Sequence, residues 1–554
     1  MKGLLSLFLL FMLSTPTLSL AKDLVEEQLD RGIRNSEPYS YSLIRQSRTN
    51  NAEAQRLLKE ALRYSPDLPA VYFELSKASF SFSSKGFFET VDYMLRGIAA
   101  YRQNFWWSFT MIGSLFISLV LSFIVSMIII IIIRLPHDLP LLSHDIKELR
   151  AKALLLIVLF SAIISPLFLI GSALIIIGLY FKKWDRIVVY LYLLFLLALP
   201  WVLNISSMFI NALASSDLKA IVQVNESKGN RYALSVLKET DDNVARFSYA
   251  LALKREGRYD EAINILNKLI SDKADARLYN NLANCYAAKN NMERAKEFYK
   301  KSIELKPLTA ALYNLSQISR ETFDFITGEE FFLSAQRQDA EAVSRFMSIF
   351  GRNPNRFVID ENLPLTDLWK YAKEKISDST FGLSVIQPAF IPGIASFLIT
   401  LFLILNIRIR NRAYKCRKCG AILCNKCEKR IIWGHMCIQC FGSLIKLDEL
   451  NARERVARLL TVYEHQKKRR SIIKLITFII PGSGQIYAGN ILKGLLFLWL
   501  FLFFLFILVM NSILVPETSF FSHLWLNGLS LFLMAVVYFA ANILTRGGIA
   551  AGWL

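Results

Sequence analysis

The chain has 554 residues, a formal net charge of +20, 54% apolar residues including 40 Phe, and a positive mean hydropathy of +0.36. That apolar content excludes an ordinary soluble protein and points to a polytopic membrane protein, in which a basic surplus beside apolar spans marks cytoplasmic loops rather than nucleic-acid binding. Six of the seven cysteines fall between Cys416 and Cys440, which excludes a disulfide framework through the chain.

Residues 1–21 carry one basic residue, a short apolar core and a Ser19-Leu20-Ala21 ending, so a signal peptide is expected and the chain from Lys22 should be exported. Residues 22–104 are polar and helical in period. Within NAEAQRLLKEALRYSPDLPAVYFEL, Ala54, Leu58, Ala61 and Pro66, then Tyr72 and Leu75, fall where a tetratricopeptide repeat places its packing residues, a resemblance resting on one junction.

Residues 105–211 form a membrane region. Spans are expected at about 105–133 and 187–211, each long enough for about 30 Å of hydrocarbon. The block 153–181 holds Ser165-Pro166 and Gly171-Ser172 near its centre, and is flanked by Arg150 and Lys152 on one side and Lys182, Lys183 and Arg186 on the other. Basic flanks at both ends suit a re-entrant hairpin, with a single kinked span as the alternative.

Residues 212–386 carry the better repeat. Gly257, Tyr259, Ala262, Leu266 and Leu269 are echoed 33 residues on by Ala295, Tyr299, Ser302 and Pro307, with Tyr279, Leu282, Ala283 and Tyr286 in the intervening helix. These positions resemble the tetratricopeptide repeat of about 34 residues, in which small residues let paired helices approach and large ones fill the gap. A third unit keeps Leu315, Gly328, Phe332 and Ala335, and a degenerate one surrounds Ala233 and Leu237. The resemblance implies a helical-repeat fold that binds a protein or peptide in its concave groove.

After a span at 390–407, residues 408–446 form the cysteine module, expected in the reducing cytoplasm. Between Arg408 and Arg470, 17 Lys and Arg stand against 5 Asp and Glu. Cys416, Cys419, Cys437 and Cys440 form two C-x2-C pairs separated by 17 residues, a spacing that closes a tetrahedral, structural zinc site. CRKCGAILCNKC and GHMCIQC resemble the FYVE zinc finger. The resemblance implies that the outer pairs form a complete site and that Cys424 and Cys427 lack a partner pair. His435 is the added ligand available to them. The FYVE phosphoinositide motif is absent, so general attraction to anionic lipid is implied rather than head-group specificity.

Residues 447–470 read as a basic amphipathic helix with Val456, Leu459, Leu460 and Tyr463 on one face, suited either to the membrane surface or to packing on the cysteine module. Residues 471–554 contain Pro481-Gly482-x-Gly484-Gln485-x-Tyr487-x-Gly489, which resembles a small bacterial family of membrane hairpins built on a PGxGQxYxG loop. The whole chain resembles bacterial membrane proteins that combine these modules.

The fold class expected is mainly α: membrane helices, helical-repeat soluble domains and a small zinc module. No catalytic constellation or cofactor motif is seen, and the apolar blocks between 105 and 211 and between 390 and 407 hold no Asp, Glu, Lys, Arg or His. The chain is therefore expected to be not an enzyme but a scaffold in a bacterial inner membrane, repeats outside and zinc module inside. A transporter or lipid-handling protein, or a transmembrane signalling component, are the alternatives. Its partners would be a protein or peptide and anionic lipid. Nucleic acid is not expected.

Overall fold

The structure is a computed structural model that describes residues 24–30, 33–145, 161, 165–349, 358–374, 388–408, 413–416, 418–423, 437–438, 440–441, 452–514 and 524–551. The expected signal peptide and the residues Cys424, Cys427 and His435 lie outside these. The described residues are mainly helical and divide into two compact units: 1–108 with 211–375, and 109–210 with 376–554.

The first unit is an array of helix pairs. Glu37–Thr49 pairs with Ala54–Tyr64, and Pro69–Ser79 with Ser84–Ala100. Further on in the chain, Ser216–Asn225 pairs with Arg231–Val236, Asn243–Arg255 with Tyr259–Asp272, Ala276–Ala288 with Met292–Leu305, and Thr309–Glu321 with Phe325–Gln338. Local chemistry starts these helices: the carboxylate of Asp242 accepts from the N–H of Val244 and Ala245, and Asp275, Asn291 and Asp324 cap in the same way. The small residues expected at the repeat positions, Ala262, Ala283 and Ala295, are fully buried, as are Leu282 and Tyr299, with Leu266 nearly so. Tyr259, Tyr279 and Tyr286 are half-buried, the last two stacking on Phe298, and Pro307 is exposed. The weaker units form too: Ala233, Leu237 and Ala335 are buried, as are Leu58, Ala61 and Leu75 near the N-terminus.

The two soluble stretches that the sequence separates by the region 109–210 belong to one unit. Backbone N–H groups of Arg34 and Asn35 donate to the Ser227 carbonyl at 2.8 and 3.2 Å. The Lys228 ammonium bridges Glu37 at 2.8 Å and Glu226 at 2.5 Å, and Glu226 also accepts the N–H of Phe105. Burial raises the Glu226 carboxyl above its usual range, with Lys228 opposing it.

Each first helix of the three best repeats ends in a left-handed residue, Gly257 (φ +80°), Asn290 (+62°) and Phe323 (+62°). Glycine adopts this freely and asparagine readily, whereas a residue with a bulky Cβ costs about 1–2 kcal/mol. Phe323 is 82% exposed, so little packing offsets the strain. Phe323→Gly is expected to stabilise the repeat unit by about 1 kcal/mol, read as a raised thermal midpoint. An unchanged or lowered midpoint would contradict this.

In the second unit, three described helices are long and apolar enough to cross a membrane: Phe105–His144, which begins within the first unit, Ile491–Asn511 and Leu526–Ala550. The first runs well past the expected end at Ile133, through Pro136 and Pro140, to Asp145. Continuation is favoured by a buried i,i+4 ion pair: Arg134 donates to Asp138 at 2.6 and 2.9 Å. The expected span at 187–211 is two helices, Ile187–Leu197 and Leu199–Ala214, bent by 60°. Pro200 removes an N–H donor at the break.

The described residues of the block around Ser165 show a helix break. Ser165 caps Pro166–Gly178 by accepting from the Leu167 N–H, and the hydroxyls of Ser161 and Ser172 are 2.7 Å apart. In one continuous helix, residues eleven apart lie about 16 Å from each other, so Ser161 and Ser172 do not belong to one continuous helix. Gly171 and Gly178 let this short helix approach Ile187–Leu197, where a Cβ would come within 3.1 Å of Leu196 and 2.5 Å of Val189. The helix Ile391–Arg408 closes the same core through Phe402.

The Pro481–Gly489 loop is a docking element. Gly482 is left-handed, and a Cβ on Gly494 would lie 2.5 Å from Ile486 and 2.7 Å from the Gly482 carbonyl. Asp185 accepts the Leu492 N–H at 2.8 Å, Lys182 donates to Asn490 at 2.7 Å, and the Tyr487 ring faces His137.

Candidate functional site

The first candidate site is the cysteine cluster. Tyr414–Lys415 pairs antiparallel with Ile422–Leu423, and left-handed Gly420 closes the turn between them. Within the turn the Gly420 N–H donates to the Cys416 carbonyl at 2.9 Å, and the Cys416 N–H to Ala421 at 2.8 Å. This fold aims Cys416 and Cys419 inward. Cys437 and Cys440 complete the set, with all four sulfurs within 4.8 Å of one another. The Sγ atoms of Cys419 and Cys437 are 3.7 Å apart. Tetrahedral thiolates about 2.3 Å from a zinc ion would be about 3.8 Å apart, so the geometry fits a metal of that size.

The thiol chemistry also fits a cation. Burial raises Cys416, but backbone N–H groups of Cys419, Cys437 and Lys418 outweigh it and bring that thiol down to about 7. Burial pushes Cys437 and Cys440 up, and neighbouring thiolate charge adds to this. Without a metal, ionising one thiol of the cluster opposes ionising its neighbours. A divalent ion lets the others ionise.

The helix Ala452–Ile479 is anchored on this module. Val462 packs against the cysteine core, His465 covers Gly420, and Gln466 donates to the Lys418 carbonyl at 3.0 Å. The apolar stripe Val456, Leu459, Leu460 and Tyr463 faces away and is 39–63% exposed.

The second candidate site is the inner face of the repeats, lined by the first helices of successive pairs. It holds the chain's own residues 358–364 in extended form. Asn314 donates to the Ile359 carbonyl at 2.8 Å and accepts its N–H at 2.7 Å. Asn281 does the same to Glu361 at 2.8 and 2.9 Å, and Asn225 to Leu363 at 3.0 and 2.6 Å. Alternate strap residues are thus each held by a paired amide, as in a strand ladder. Between them, Asp360 accepts from Lys254 at 2.6 Å, Asn284 at 2.9 Å and Arg255 at 3.2 Å. Tyr299 donates to Asn284 at 2.6 Å and fixes its amide.

None of these asparagines was picked out by sequence reasoning. A signal was present: Asn is a weak helix former, yet Asn281 and Asn314 recur at the repeat period, buried within helices.

The strap's seat is pH-dependent. Burial raises Glu361 to about 7, with Arg277 and Lys306 opposing and Asp275 and Asp360 adding to it. Burial would also raise Asp360, but Lys254 and Arg255 outweigh it and hold it below the carboxylate range. Glu361 therefore costs stability as pH rises from about 4.3, its unfolded value, through 7. Asp360 contributes stability that is lost only as pH falls below its ordinary value. Protection of the Ile359 and Leu363 amides, corrected for intrinsic exchange, is expected to be higher at pH 5.5 than at pH 8. Equal protection would contradict it.

The family model for the tetratricopeptide repeat matches residues 245–271 and 276–307. An uncharacterized protein of Methanocaldococcus jannaschii, MJ1516, is similar over 39 residues at 46% identity, covering 7% of this chain and 39% of that protein. The chain therefore spans well under two thirds of that relative. With the repeat helices, their buried small residues and the family match in agreement, this chain contains tetratricopeptide repeats.

Proposed function

We propose that the protein is a scaffold in a cytoplasmic membrane, not an enzyme, which binds a protein or peptide through its repeats on the exported side. The observation that carries this reading is the inner repeat face, whose asparagines hold an extended peptide segment by its backbone. Recognition of that kind is what a peptide-binding repeat supplies. The cysteine cluster is a structural zinc site on the cytoplasmic side, since four thiolates leave no open coordination position for chemistry. Orientation follows from two arguments. Residues 24–108 and 211–375 pack as one unit, so both lie on one side of any bilayer and the region between them crosses an even number of times. The thiols and the Lys- and Arg-rich segment 408–470 suit the reducing, positive-inside face.

The test uses single reporter cysteines at Ser334, half-buried on a helix, and Lys467, exposed on another, with an impermeant thiol reagent. Ser334→Cys labelled in intact cells, and Lys467→Cys only after the vesicles are opened, supports the scaffold. Labelling of both from one side overturns its topology.

A further inference from the structure

The segment 358–364 occupies the place a bound peptide would take, and it belongs to no helix or strand. Three asparagines from three helices read its backbone at Ile359, Glu361 and Leu363, so they recognise extended conformation rather than sequence. Selectivity comes from two positions. Asp360 is clamped between Lys254 and Arg255, and Leu363 is 7% exposed. Arg255 also reaches the side-chain carbonyl of Asn362 at 3.3 Å, and Arg277 holds Asp367 at 2.9 Å just beyond the strap.

We propose that residues 358–364 are a resident occupant of the repeat groove, exchanged for an extended acidic segment of a partner that places an aspartate in the Lys254–Arg255 clamp and an apolar side chain three residues later. This rests on the scaffold reading and names the partner's chemistry. The strap competes as a tethered ligand, at an effective concentration of about millimolar, so a partner must bind tightly or hold a second contact to displace it. A groove that is closed at rest also keeps buried asparagine amides and two cations from being left without partners. The strap runs directly into the helix Leu365–Glu374 and, in sequence, on to the apolar helix Ile391–Arg408.

The experiment uses the full chain in detergent and a fluorescein-labelled peptide with the chain's own sequence 356–366. Asp360→Lys places a third cation in the clamp and should release the strap. Peptide anisotropy is expected to show at least tenfold tighter binding to this variant than to the wild type. A peptide whose own aspartate is replaced by asparagine should lose that binding about tenfold. If the folded variant, judged by helical circular dichroism and melting, binds the peptide no better than the wild type, the strap is a fixed part of the domain and the proposal fails. Should Asp360→Lys not fold, hydrogen exchange in the wild type decides. Excess peptide must accelerate exchange of the Ile359, Glu361 and Leu363 amides, and unchanged rates overturn the proposal. Neither result bears on the sidedness of Ser334 and Lys467, so the scaffold topology stands or falls separately.

Discussion

Chelation of the proposed zinc, or Cys440→Ser, is expected to unfold the cysteine module while the repeat unit stays intact. Among the described residues the module has a two-stranded hairpin of two residues per strand and a core of the cysteines, Leu423, Tyr414 and Val462. So little apolar surface cannot offset the entropy of ordering the chain. The proposed zinc would supply the difference, since structural zinc binding contributes apparent free energies of about 10–16 kcal/mol near pH 7 in small zinc-finger peptides. Elemental analysis should find one zinc per chain in the four-cysteine site and none there in Cys440→Ser. Limited proteolysis should open at Lys415 and Lys418 in the metal-free form. Because Val462, His465 and Gln466 rest on the module, cleavage should spread to the first half of Ala452–Ile479. A metal-free chain that resists protease at these lysines would show that the module folds without the ion.

Arg134→Ala should destabilise the second unit by about 3–5 kcal/mol, because it strands the Asp138 carboxylate without its partner. The two side chains are 5% and 1% exposed, and the ring of Phe181 covers the guanidinium. His137 Nδ1 lies 2.8 Å from the same carboxylate, too weak a substitute for a two-point guanidinium pair. The double change Arg134→Met with Asp138→Leu removes both charges and should recover most of the loss. Detergent unfolding of the wild type and the two variants checks this. If the single variant is as stable as the wild type, the pair is hydrated and not buried.

How much of this was legible beforehand differs by element. The cysteine ligands and the repeat core were readable because both depend on short-range spacing: two residues between paired thiols, and about 34 between equivalent small residues. The Ser165-Pro166 break was readable for the same reason, since proline acts on its own turn. Reading the first apolar block as ending at Ile133 missed Arg134 by one residue. Hydropathy marks a charge as the end of a span, and it does not register that Asp138, one turn on, neutralises that charge. The stripe of Val456, Leu459, Leu460 and Tyr463 illustrates the opposite limit. Periodicity identified the apolar face, but the helix is seated on the module by Val462, His465 and Gln466 instead.

The sequence alone therefore determined the long apolar helices and the repeat fold, the clustering of four cysteines and the tight glycine turn at Pro481–Gly489, because each is encoded by composition or by neighbours a few residues apart. Tertiary structure decided what distance along the chain hides. It joined residues 24–108 to 211–375 through Lys228, and it filled the repeat groove with residues 358–364. Both depend on pairings between residues tens to nearly two hundred positions apart, such as Asn314 with Ile359 and Asn35 with Glu226. No local pattern specifies such partners, since an asparagine amide or a lysine accepts any chain brought to it in the right conformation.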